Sequence, residues 1–370
     1  AHELLKSAKM QHKSIPYPRR VFARALLRGL SRLIIRLLSR TEIHGLEEIP
    51  AEGPVILAAN HVGTVEAVLM AAFPRRQVEF LGAGDLPFES GVNSITEAYG
   101  FIPVNRGNID RKALKAGLDV LAQDGVIGIF PEGGTWEKTE THAHIGVAML
   151  SQRSGAPVVP IGFSGMQGAL SNVLRLKRPR FVMKLGKPIP ALEPSANLSG
   201  ARSEMQAYAN LTLERIQSLL TPEERGTRIT SSNYSLSLQP ELVGLDLTSL
   251  GAQTFARMLF SDVILESFKL NLSMPVGVLY QGTEKKRSMS AVVKALDSIE
   301  AYLVRNQGFF TYRYGWDAGQ ALRAFMLELA NALREANTAA EAVELRAGSR
   351  QGYQDGRVLE DQRHFILLPD

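Results

Sequence analysis

The sequence predicts an α/β protein with a largely parallel sheet flanked by helices, an N-terminal amphipathic helix and a mainly helical C-terminal domain. From Pro54 onward, short β-like runs alternate with helical stretches, which is the order typical of a parallel sheet. Arginines recur among leucines before this region, and two apolar stripes at helical spacing follow it. The chain has 370 residues, 45% of them hydrophobic, so it can fill one large or two moderate domains.

The N-terminal segment, residues 1–40, is predicted to contain a basic amphipathic helix. From Tyr17 to Arg40 there are seven arginines and no acidic residue, and five arginines recur every fourth residue, from position 24 to position 40. Because four residues turn a helix by about 400°, this stripe winds slowly around the helix. Two interpretations stand side by side. The helix either packs its leucines on the core, or lies at a membrane interface with leucines at the acyl boundary and arginines on lipid phosphates.

Residues 41–222 form the predicted α/β domain. The predicted strands are the apolar runs VILAAN, VEFLGAG, FIPV, VIGIF and PVVPIGF, and helices are predicted after Thr64, Asp110 and His144. The helix from Asp110 to Asp124 carries leucines at i, i+4 and i+7, and Gly125 follows it as a stop. Because α/β proteins place their sites in the loops that follow the strands, we expect the functional residues at one edge of the sheet.

A polar, serine-rich segment, residues 223–240, is predicted to be a linker. Beyond it, residues 241–370 carry two apolar stripes at helical spacing, so we expect a mainly helical domain without a chemical motif. Our hypothesis is that this domain covers part of the functional site. The stripes consist of Val292, Leu296, Ile299 and Leu303, and of Leu322, Phe325, Met326, Leu329 and Leu333.

The composition argues against several kinds of chemistry. Without cysteine, the chain can form no disulfide, thiolate metal site or cysteine nucleophile. His142 and His144 lack a third ligand at a recognisable spacing, so we interpret them as loop or helix-start residues. The basic residues are not interleaved with aromatic residues, and arginines among leucines suit lipid better than nucleic acid. We therefore expect no metal and no nucleic acid.

His61 and Glu66 are the first candidates for catalysis. His61 follows the run VILAAN, and Glu66 stands five residues later at the head of another apolar run. Histidine is the side chain best suited to general-base chemistry near neutral pH, and a carboxylate on its second ring nitrogen fixes the tautomer. This spacing is common by chance, so a purely structural role is the alternative.

Three further stretches change this interpretation. FIPVNRG places Arg106 after a short strand, IFPEGGTWEK places Glu132 and two glycines after another, and GAPVVPIGFSG is a proline-bounded apolar strand. Together with His61 and Glu66, these stretches resemble, in order and type, the four blocks of the glycerolipid acyltransferase family. This family includes the glycerol-3-phosphate and lysophosphatidate acyltransferases. The resemblance covers about Ile43 to Leu220. The blocks are matched by His61 to Glu66, by Arg106, by Pro131 to Gly133 and by Val159 to Ile161.

The resemblance implies direct acyl transfer from a thioester to a hydroxyl of a glycerol phosphate or lysophospholipid. Acyl-CoA or an acyl-carrier protein would be the donor substrate, and no cofactor would be needed. His61 would take the hydroxyl proton, Glu66 would hold the imidazole ring, and the amides of Gly133 and Gly134 would stabilise the oxyanion. The absence of cysteine is compatible with this chemistry because no acyl-enzyme forms.

The resemblance also implies roles on the acceptor side. Arg106 would bind the acceptor phosphate, because a guanidinium fork suits phosphate oxygens, and Glu132 would bind acceptor hydroxyls or support the site. The structural alternatives are a surface arginine and an exposed turn carboxylate.

Two departures from the family pattern bear on the catalytic pair and on the acceptor. Glu66 stands where the family usually has aspartate, which keeps the charge and adds a methylene. After Pro-Glu-Gly many members continue with Thr-Arg-Ser, whereas this chain reads Gly-Thr-Trp-Glu-Lys from Gly134 to Lys138. A glycolipid or an amino-acid lipid is therefore an alternative acceptor. A non-catalytic lipid-binding protein on the same scaffold is a second alternative.

We expect a peripheral protein on the cytoplasmic side of a membrane with anionic lipids. The N-terminus lacks the apolar stretch of a secretory signal, and no run of about 18 uninterrupted apolar residues occurs. The run from Arg175 to Lys187 has six basic residues and no acidic one. A solvated face is the default for such a run, but beside a basic helix it also suits anionic lipid, CoA phosphates or an acidic carrier protein.

Overall fold

The structure is a computed structural model of the chain. It describes residues 15–63, 65–83, 97–105, 110–133, 143–194, 200–224, 229–260, 276–279, 285–353 and 356–370. Within these ranges, an N-terminal helix precedes a seven-stranded sheet flanked by helices, and a C-terminal region of helices with a smaller sheet follows. The predicted fold class is confirmed.

The α/β region contains seven strands and the helices between them. The strands are β1 (Arg40–His44), β2 (Val55–Ala59), β3 (Val78–Ala83), β4 (Ile102–Val104), β5 (Val126–Ile129), β6 (Val158–Ser164) and β7 (Arg180–Leu185). The helices are α1 (Val21–Leu38), α2 (Val65–Ala72), α3 (Arg111–Leu121), α4 (Gly146–Ser154), α5 (Ala169–Leu174) and α6 (Ala201–Ser218). Asp110 caps α3 by accepting from two amides of its first turn, as the sequence predicts for a helix that begins there.

The strands lie in the order β1-β7-β6-β2-β5-β3-β4. Neighbouring strands are parallel, except that β6 and β7 are antiparallel. Every residue of β2 and β6 is buried, which is why these strands read as continuous apolar runs and not as alternating ones. Helices α1 and α2 contribute to the core on one face of the sheet, and α3, α4 and α6 contribute to the core on the other.

Helix α1 is present where the sequence predicts it, but three of its arginines face the protein. Arg24 is 1% exposed, and its guanidinium lies 2.8 Å from the carboxylate of Glu79, which is fully buried in β3. Arg28 and Arg32 donate to backbone carbonyls at the end of α2 and just beyond it. The interpretation that gives these arginines to lipid phosphates is therefore wrong for all three, because a buried carboxylate and helix-end carbonyls need donors.

No helix among the described residues combines the length and the apolar character needed to span a bilayer.

The C-terminal region contains the predicted helices and a sheet that the sequence analysis does not predict. Both predicted apolar stripes are buried, on α8 and on α10. The sheet has the strand order β8-β10-β11-β9 and packs with the helices around one core. The helices are α7 (Leu250–Phe260), α8 (Met289–Arg305), α9 (Gln307–Tyr314) and α10 (Trp316–Thr338), and the strands are β8 (Ile229–Gln239), β9 (Lys285–Ser288), β10 (Val343–Tyr353) and β11 (Val358–Leu368).

The linker prediction for residues 223–240 is wrong for most of that segment, because residues 229–239 form strand β8 and pair with β10. Leu236 and Leu238 are buried, while the serines beside them are exposed. This is the period-two alternation of a strand with one face on a core. The serine content, typical of a linker, belongs to the exposed face of the strand.

Candidate active site

Two of the four sequence blocks lie at one edge of the large sheet, and a third lies within a strand that ends there. The parallel strands β2, β5 and β6 end at this edge. His61 follows β2, the Pro131–Gly133 turn follows β5, and Val159 to Ile161 lie buried inside β6. The sheet therefore places the catalytic candidates where the carboxyl ends of parallel strands form a crevice.

His61 and Glu66 are neighbours in the structure. The ring Nδ1 of His61 lies 3.8 Å from Oε1 of Glu66, and the side chains are 22% and 0% exposed. This separation is longer than a hydrogen bond. Nδ1 of His61 and Oε2 of Glu66 are both buried and have no hydrogen-bond partner. A shift of about 1 Å would bring Nδ1 of His61 within hydrogen-bond distance of Oε1 of Glu66, and catalytic hydrogen bonds are often this long before substrate binds.

Glu66 is held by the backbone around it. Its Oε1 accepts from the amides of Val62 at 2.5 Å and Gly63 at 2.6 Å, and the residue lies in the first turn of α2. Burial by itself raises the pKa of this carboxyl, but His61 and the donated amides lower it by more, so the pKa of Glu66 lies below its ordinary value.

A side chain that the sequence analysis did not single out fixes the end of β2. Asn60 donates from Nδ2 to the carbonyl of Phe163 at 2.9 Å, and its Oδ1 accepts from the amide of Phe163 at 2.7 Å. The backbone ladder between β2 and β6 ends at Ala59 and Ile161. Asn60 thus continues the pairing with its side chain where the strands separate, and His61 follows directly.

The Pro131–Gly133 turn is tied to the His61 ring through Phe130. The two rings stack with centroids 4.1 Å apart and planes 16° from parallel. The amide of Gly133 donates to the Phe130 carbonyl at 3.0 Å, and Gly133 has a φ of +72°. Glu132 lies half-buried on the same turn. The third block therefore supports one side of the imidazole.

The C-terminal region reaches this turn through Tyr312 of α9, which the sequence analysis also missed. The Tyr312 hydroxyl lies 3.3 Å from the Gly133 carbonyl oxygen and 3.4 Å from Nε2 of His144. Burial lowers the pKa of His144. This histidine lies in the loop just before α4, in agreement with its interpretation as a loop or helix-start residue, whereas His142 lies outside the described residues. Lone tyrosines carry no spacing signal, so only the tertiary contact reveals Tyr312.

Two predicted site residues, Arg106 and Gly134, lie outside the described residues. Strand β4, which leads toward Arg106, is the edge strand of the sheet and ends three strands away from β2. Within the part of the chain that the structure describes, no three histidine, aspartate or glutamate side chains are grouped to hold a metal ion. The described site thus consists of one partly exposed imidazole, one buried carboxylate and a glycine-containing turn.

Comparisons with known proteins agree with the sequence blocks. Residues 40–164 match the model of the Acyltransferase family. The chain is 23% identical over 159 residues to the 1-acyl-sn-glycerol-3-phosphate acyltransferase of Bacillus subtilis (strain 168), which covers 43% of this chain and 78% of the relative.

Among solved structures, the chain is similar to the 1-acyl-sn-glycerophosphate (LPA) acyltransferase PlsC from Thermotoga maritima. The sequence identity is 18%, the TM-score is 0.40, and the match covers 58% of this chain and 87% of that one. The family model spans all four blocks, from His61 to Ile161. The α/β region of the chain is therefore similar to the acyltransferases that carry these blocks.

Proposed function

We propose that the protein transfers a fatty acyl group from acyl-CoA or an acyl-carrier protein to a hydroxyl of a glycerol phosphate or lysophospholipid, with His61 as general base. The observation that carries this proposal is the His61–Glu66 pair at the open edge of the sheet. One member is partly exposed to substrate and the other is buried beneath it. The name of the Bacillus subtilis relative, a 1-acyl-sn-glycerol-3-phosphate acyltransferase, supports a lysophospholipid acceptor.

The geometry suggests which ring nitrogen does the chemistry. Nδ1 of His61 is buried and faces Glu66, which leaves Nε2 for the substrate hydroxyl. Nε2 accepts the hydroxyl proton while the oxygen attacks the thioester carbonyl carbon. The Glu66 carboxylate stabilises the imidazolium that forms. The tetrahedral intermediate then collapses, the carbon–sulfur bond breaks, and the imidazolium returns the proton to the departing thiolate.

The remaining roles follow the family resemblance. The amides of Gly133 and Gly134 stabilise the oxyanion, Glu132 binds acceptor hydroxyls, and Arg106 binds the acceptor phosphate. In the described turn the Gly133 amide donates to the Phe130 carbonyl at 3.0 Å, so binding the oxyanion would require this hydrogen bond to be exchanged.

The exposed face of α1 supports membrane association. The arginines at its centre bind the protein, so the helix presents apolar side chains outward. These are Val21, Phe22, Leu26, Leu30, Leu33, Ile34 and Leu37, each between 41% and 85% exposed. Contiguous exposed apolar side chains on a helix mark an interface, and an acyltransferase must reach lipid substrates. The proposal therefore places α1 in the interfacial plane of a bilayer, through its apolar side chains more than through its arginines.

The test is thiol release from palmitoyl-CoA and from an acyl-carrier protein, measured with a thiol reagent. The cysteine-free chain contributes no thiol background. Acceptors include glycerol 3-phosphate, lysophosphatidate, a glycolipid and an amino-acid lipid. We expect acceptor-dependent release that falls roughly 10²–10⁴-fold in His61→Ala, the range typical of a lost general base. The exposed His44, at the end of β1, supplies the matched control His44→Ala.

The outcomes separate the candidate functions. Release with lysophosphatidate or glycerol 3-phosphate that disappears in His61→Ala supports the proposal. Release only with the glycolipid or the amino-acid lipid would assign a different acceptor, as the altered residues after Gly133 allow. No release with any acceptor, together with intact vesicle binding, would indicate a non-catalytic lipid-binding protein.

A further inference from the structure

We propose that residues 174–180, from the last residue of α5 to the first of β7 and here named the α5–β7 loop, are a second lipid-binding element, which contacts an anionic bilayer surface beside the active site. Its leucines would enter the acyl boundary and its basic residues would bind lipid phosphates. This inference rests on the proposed function, because it assumes that the enzyme works at a membrane. It adds a contact at the active-site edge of the sheet, separate from the exposed face of α1.

The strand register places this loop at the active-site edge. Strand β7 runs antiparallel to β6, and the beginning of β7 pairs with the end of β6, where Ser164 lies opposite Val182. The end of β6 is also the edge at which β2 ends and His61 follows. A loop that leads into β7 therefore lies at the edge of the sheet that carries the catalytic histidine.

The same register places the loop beside the C-terminal end of α1. Arg40 of β1 lies opposite Arg180 of β7, and the Arg40 amide donates to the Pro179 carbonyl at 2.8 Å. Helix α1 ends at Leu38, two residues earlier, and Leu37 on its last turn is 61% exposed. The exposed apolar face of α1 and the loop thus meet near one end of the helix.

Two leucines of the loop are largely exposed to solvent. Leu174 and Leu176 are 72% and 69% exposed, more than any other leucine of the described residues. Leu176 has a φ of +57° and caps α5: its amide donates to Val173, and the amide of Lys177 donates to Asn172. Glycine usually occupies this left-handed position, because a side chain there is strained by about 1 kcal/mol or more. A leucine that is both strained and exposed does not stabilise the fold. An apolar binding partner explains why it is there.

The charge of the loop favours an anionic partner. Lys177 and Arg178 form no ion pair among the described residues, and no acidic residue occurs from Arg175 to Lys187. Arg180 is paired with Glu42 at 2.8 Å, and Glu223 also lies near it, so its charge is largely offset. Each uncompensated basic residue near an anionic leaflet contributes about 1 kcal/mol of binding.

A bilayer fits the combination of exposed leucines and basic residues better than the phosphates of free acyl-CoA do. Phosphates alone would use Lys177 and Arg178 but would leave both leucines exposed to water. The neighbouring apolar face of α1 is also suited to a bilayer. An acidic carrier protein could use leucines and basic residues together, so it is the occupant that the experiment must exclude.

The test uses two double variants of the full chain. Leu174→Ser/Leu176→Ser removes the apolar contact, and Lys177→Gln/Arg178→Gln removes the charge. Val243→Ser/Leu250→Ser and Lys112→Gln/Arg215→Gln are matched controls, because all four of these residues are exposed in other parts of the molecule. Co-sedimentation is measured with phosphatidylcholine vesicles that contain or lack phosphatidylglycerol. Thermal unfolding confirms that each variant is folded.

We expect the leucine variant to reduce partitioning about 10-fold or more on both kinds of vesicle. The charge variant should reduce partitioning about 10-fold on anionic vesicles only, and added salt should remove the difference. The controls should behave like the wild type. Unchanged partitioning of both loop variants overturns the inference, as does a loss of turnover confined to the carrier-protein donor.

A second readout separates this inference from the proposed function. Turnover of a monomeric, short-chain acceptor should be unchanged in both loop variants, because the loop contributes no catalytic group. If the wild type turns over an acceptor but the loop variants bind vesicles as the wild type does, only the loop inference fails. If the loop variants lose partitioning but no acceptor is turned over even by wild type, the loop inference stands and the proposed function fails.

Discussion

At the scale of single residues, Glu66 is unusual because one of its carboxylate oxygens faces three groups, two backbone amides and the His61 ring. Oε1 accepts two backbone amides and also faces Nδ1 of His61, while Oε2 is buried without a partner. A buried carboxylate is stable in this position only while the amides and the imidazole compensate its lost hydration. Glu66 therefore links the stability of the turn that precedes α2 to the chemistry of His61.

This link makes the effect of Glu66→Gln depend on pH. Glutamine can still accept the amides but lacks the charge, so we expect a loss of about 1–3 kcal/mol in unfolding free energy near neutral pH. The folded pKa of Glu66 lies below its ordinary value of 4.5. The stabilisation is therefore present above pH 4.5 and is lost as the pH falls through the folded pKa. Urea unfolding of both proteins at several pH values checks this, and a pH-independent difference would contradict it.

Gly133 offers a second test at this scale, because both backbone and neighbours forbid a side chain there. A Cβ at Gly133 would lie 2.5 Å from the His144 ring and 2.8 Å from the Tyr312 hydroxyl, at a φ of +72°. We expect Gly133→Ala to reduce kcat/KM at least about 10-fold, because the turn that supports the His61 ring must move. Gly155 has a similar φ of +69° but no atom within 4 Å of its Cβ.

Gly155→Ala therefore serves as the matched control for backbone strain. It should cost about 1 kcal/mol of stability, as expected for alanine in the left-handed region, and leave the kinetics unchanged. Equal kinetic losses in the two variants would mean that the close approach at Gly133 is not what matters.

At the scale of secondary-structure elements, α1 is attached to the sheet by a buried ion pair. Glu79 of β3 accepts from both Arg19 and Arg24, and Arg24 also donates to the carbonyls of Tyr99 and Gly100. The guanidinium lies 4.5 Å from the centroid of the Tyr99 ring. These contacts hold the first turn of the helix against the sheet with Arg24 turned inward.

Breaking this pair should be far more costly than breaking an exposed pair. We expect Arg24→Met to lower the unfolding free energy by about 3–5 kcal/mol, because Glu79 is left buried with fewer donors. Arg334→Met, which removes the exposed pair with Asp297 at 2.7 Å, should cost less than about 1 kcal/mol. Urea unfolding measures both.

The double variant Arg24→Met/Glu79→Gln should be less destabilised than the sum of its single variants, because no uncompensated charge remains. Additive losses would show that the residues stabilise the protein independently and not as a pair.

At the scale of the whole molecule, the C-terminal region is in contact with the active-site turn through α9. The contact joins Tyr312 to Gly133 and His144, which belong to the α/β region. The hypothesis that this region covers part of the site is consistent with the contact. Deleting everything after Pro240 remains its broad test, and a soluble protein with unchanged kinetics would refute it.

A single-atom change tests the contact more sharply. Tyr312→Phe removes the hydroxyl, and we expect kcat/KM for the acceptor to fall about 3–10-fold, the effect of one modest hydrogen bond. Tyr353→Phe makes the same change in β10, where the hydroxyl bonds to Gln351 at 3.1 Å, and should leave the kinetics unchanged. Identical kinetics of Tyr312→Phe and wild type would remove α9 from the catalytic arrangement.

Local patterns in the sequence determined the fold class and most of the predicted helices and strands of this protein. The alternation of apolar and helical runs predicted the α/β sheet, helical spacing predicted α1, α3, α8 and α10, and four short blocks indicated the acyltransferase family. These features succeed because periodicity and motif order depend on residues that are close along the chain. The linker prediction failed at β8 because serines on the exposed face concealed a period-two pattern.

The tertiary structure alone decided which groups meet. Glu79 draws Arg24 inward from 55 positions away, Asn60 joins Phe163 across 103 positions, and Tyr312 reaches Gly133 across 179. Periodicity states which face of an element is apolar, but it does not state which distant polar group that element will find. Buried donors and acceptors must be satisfied wherever the fold brings them together, so the orientation of α1 and the contact of α9 with the site turn depend on those partners.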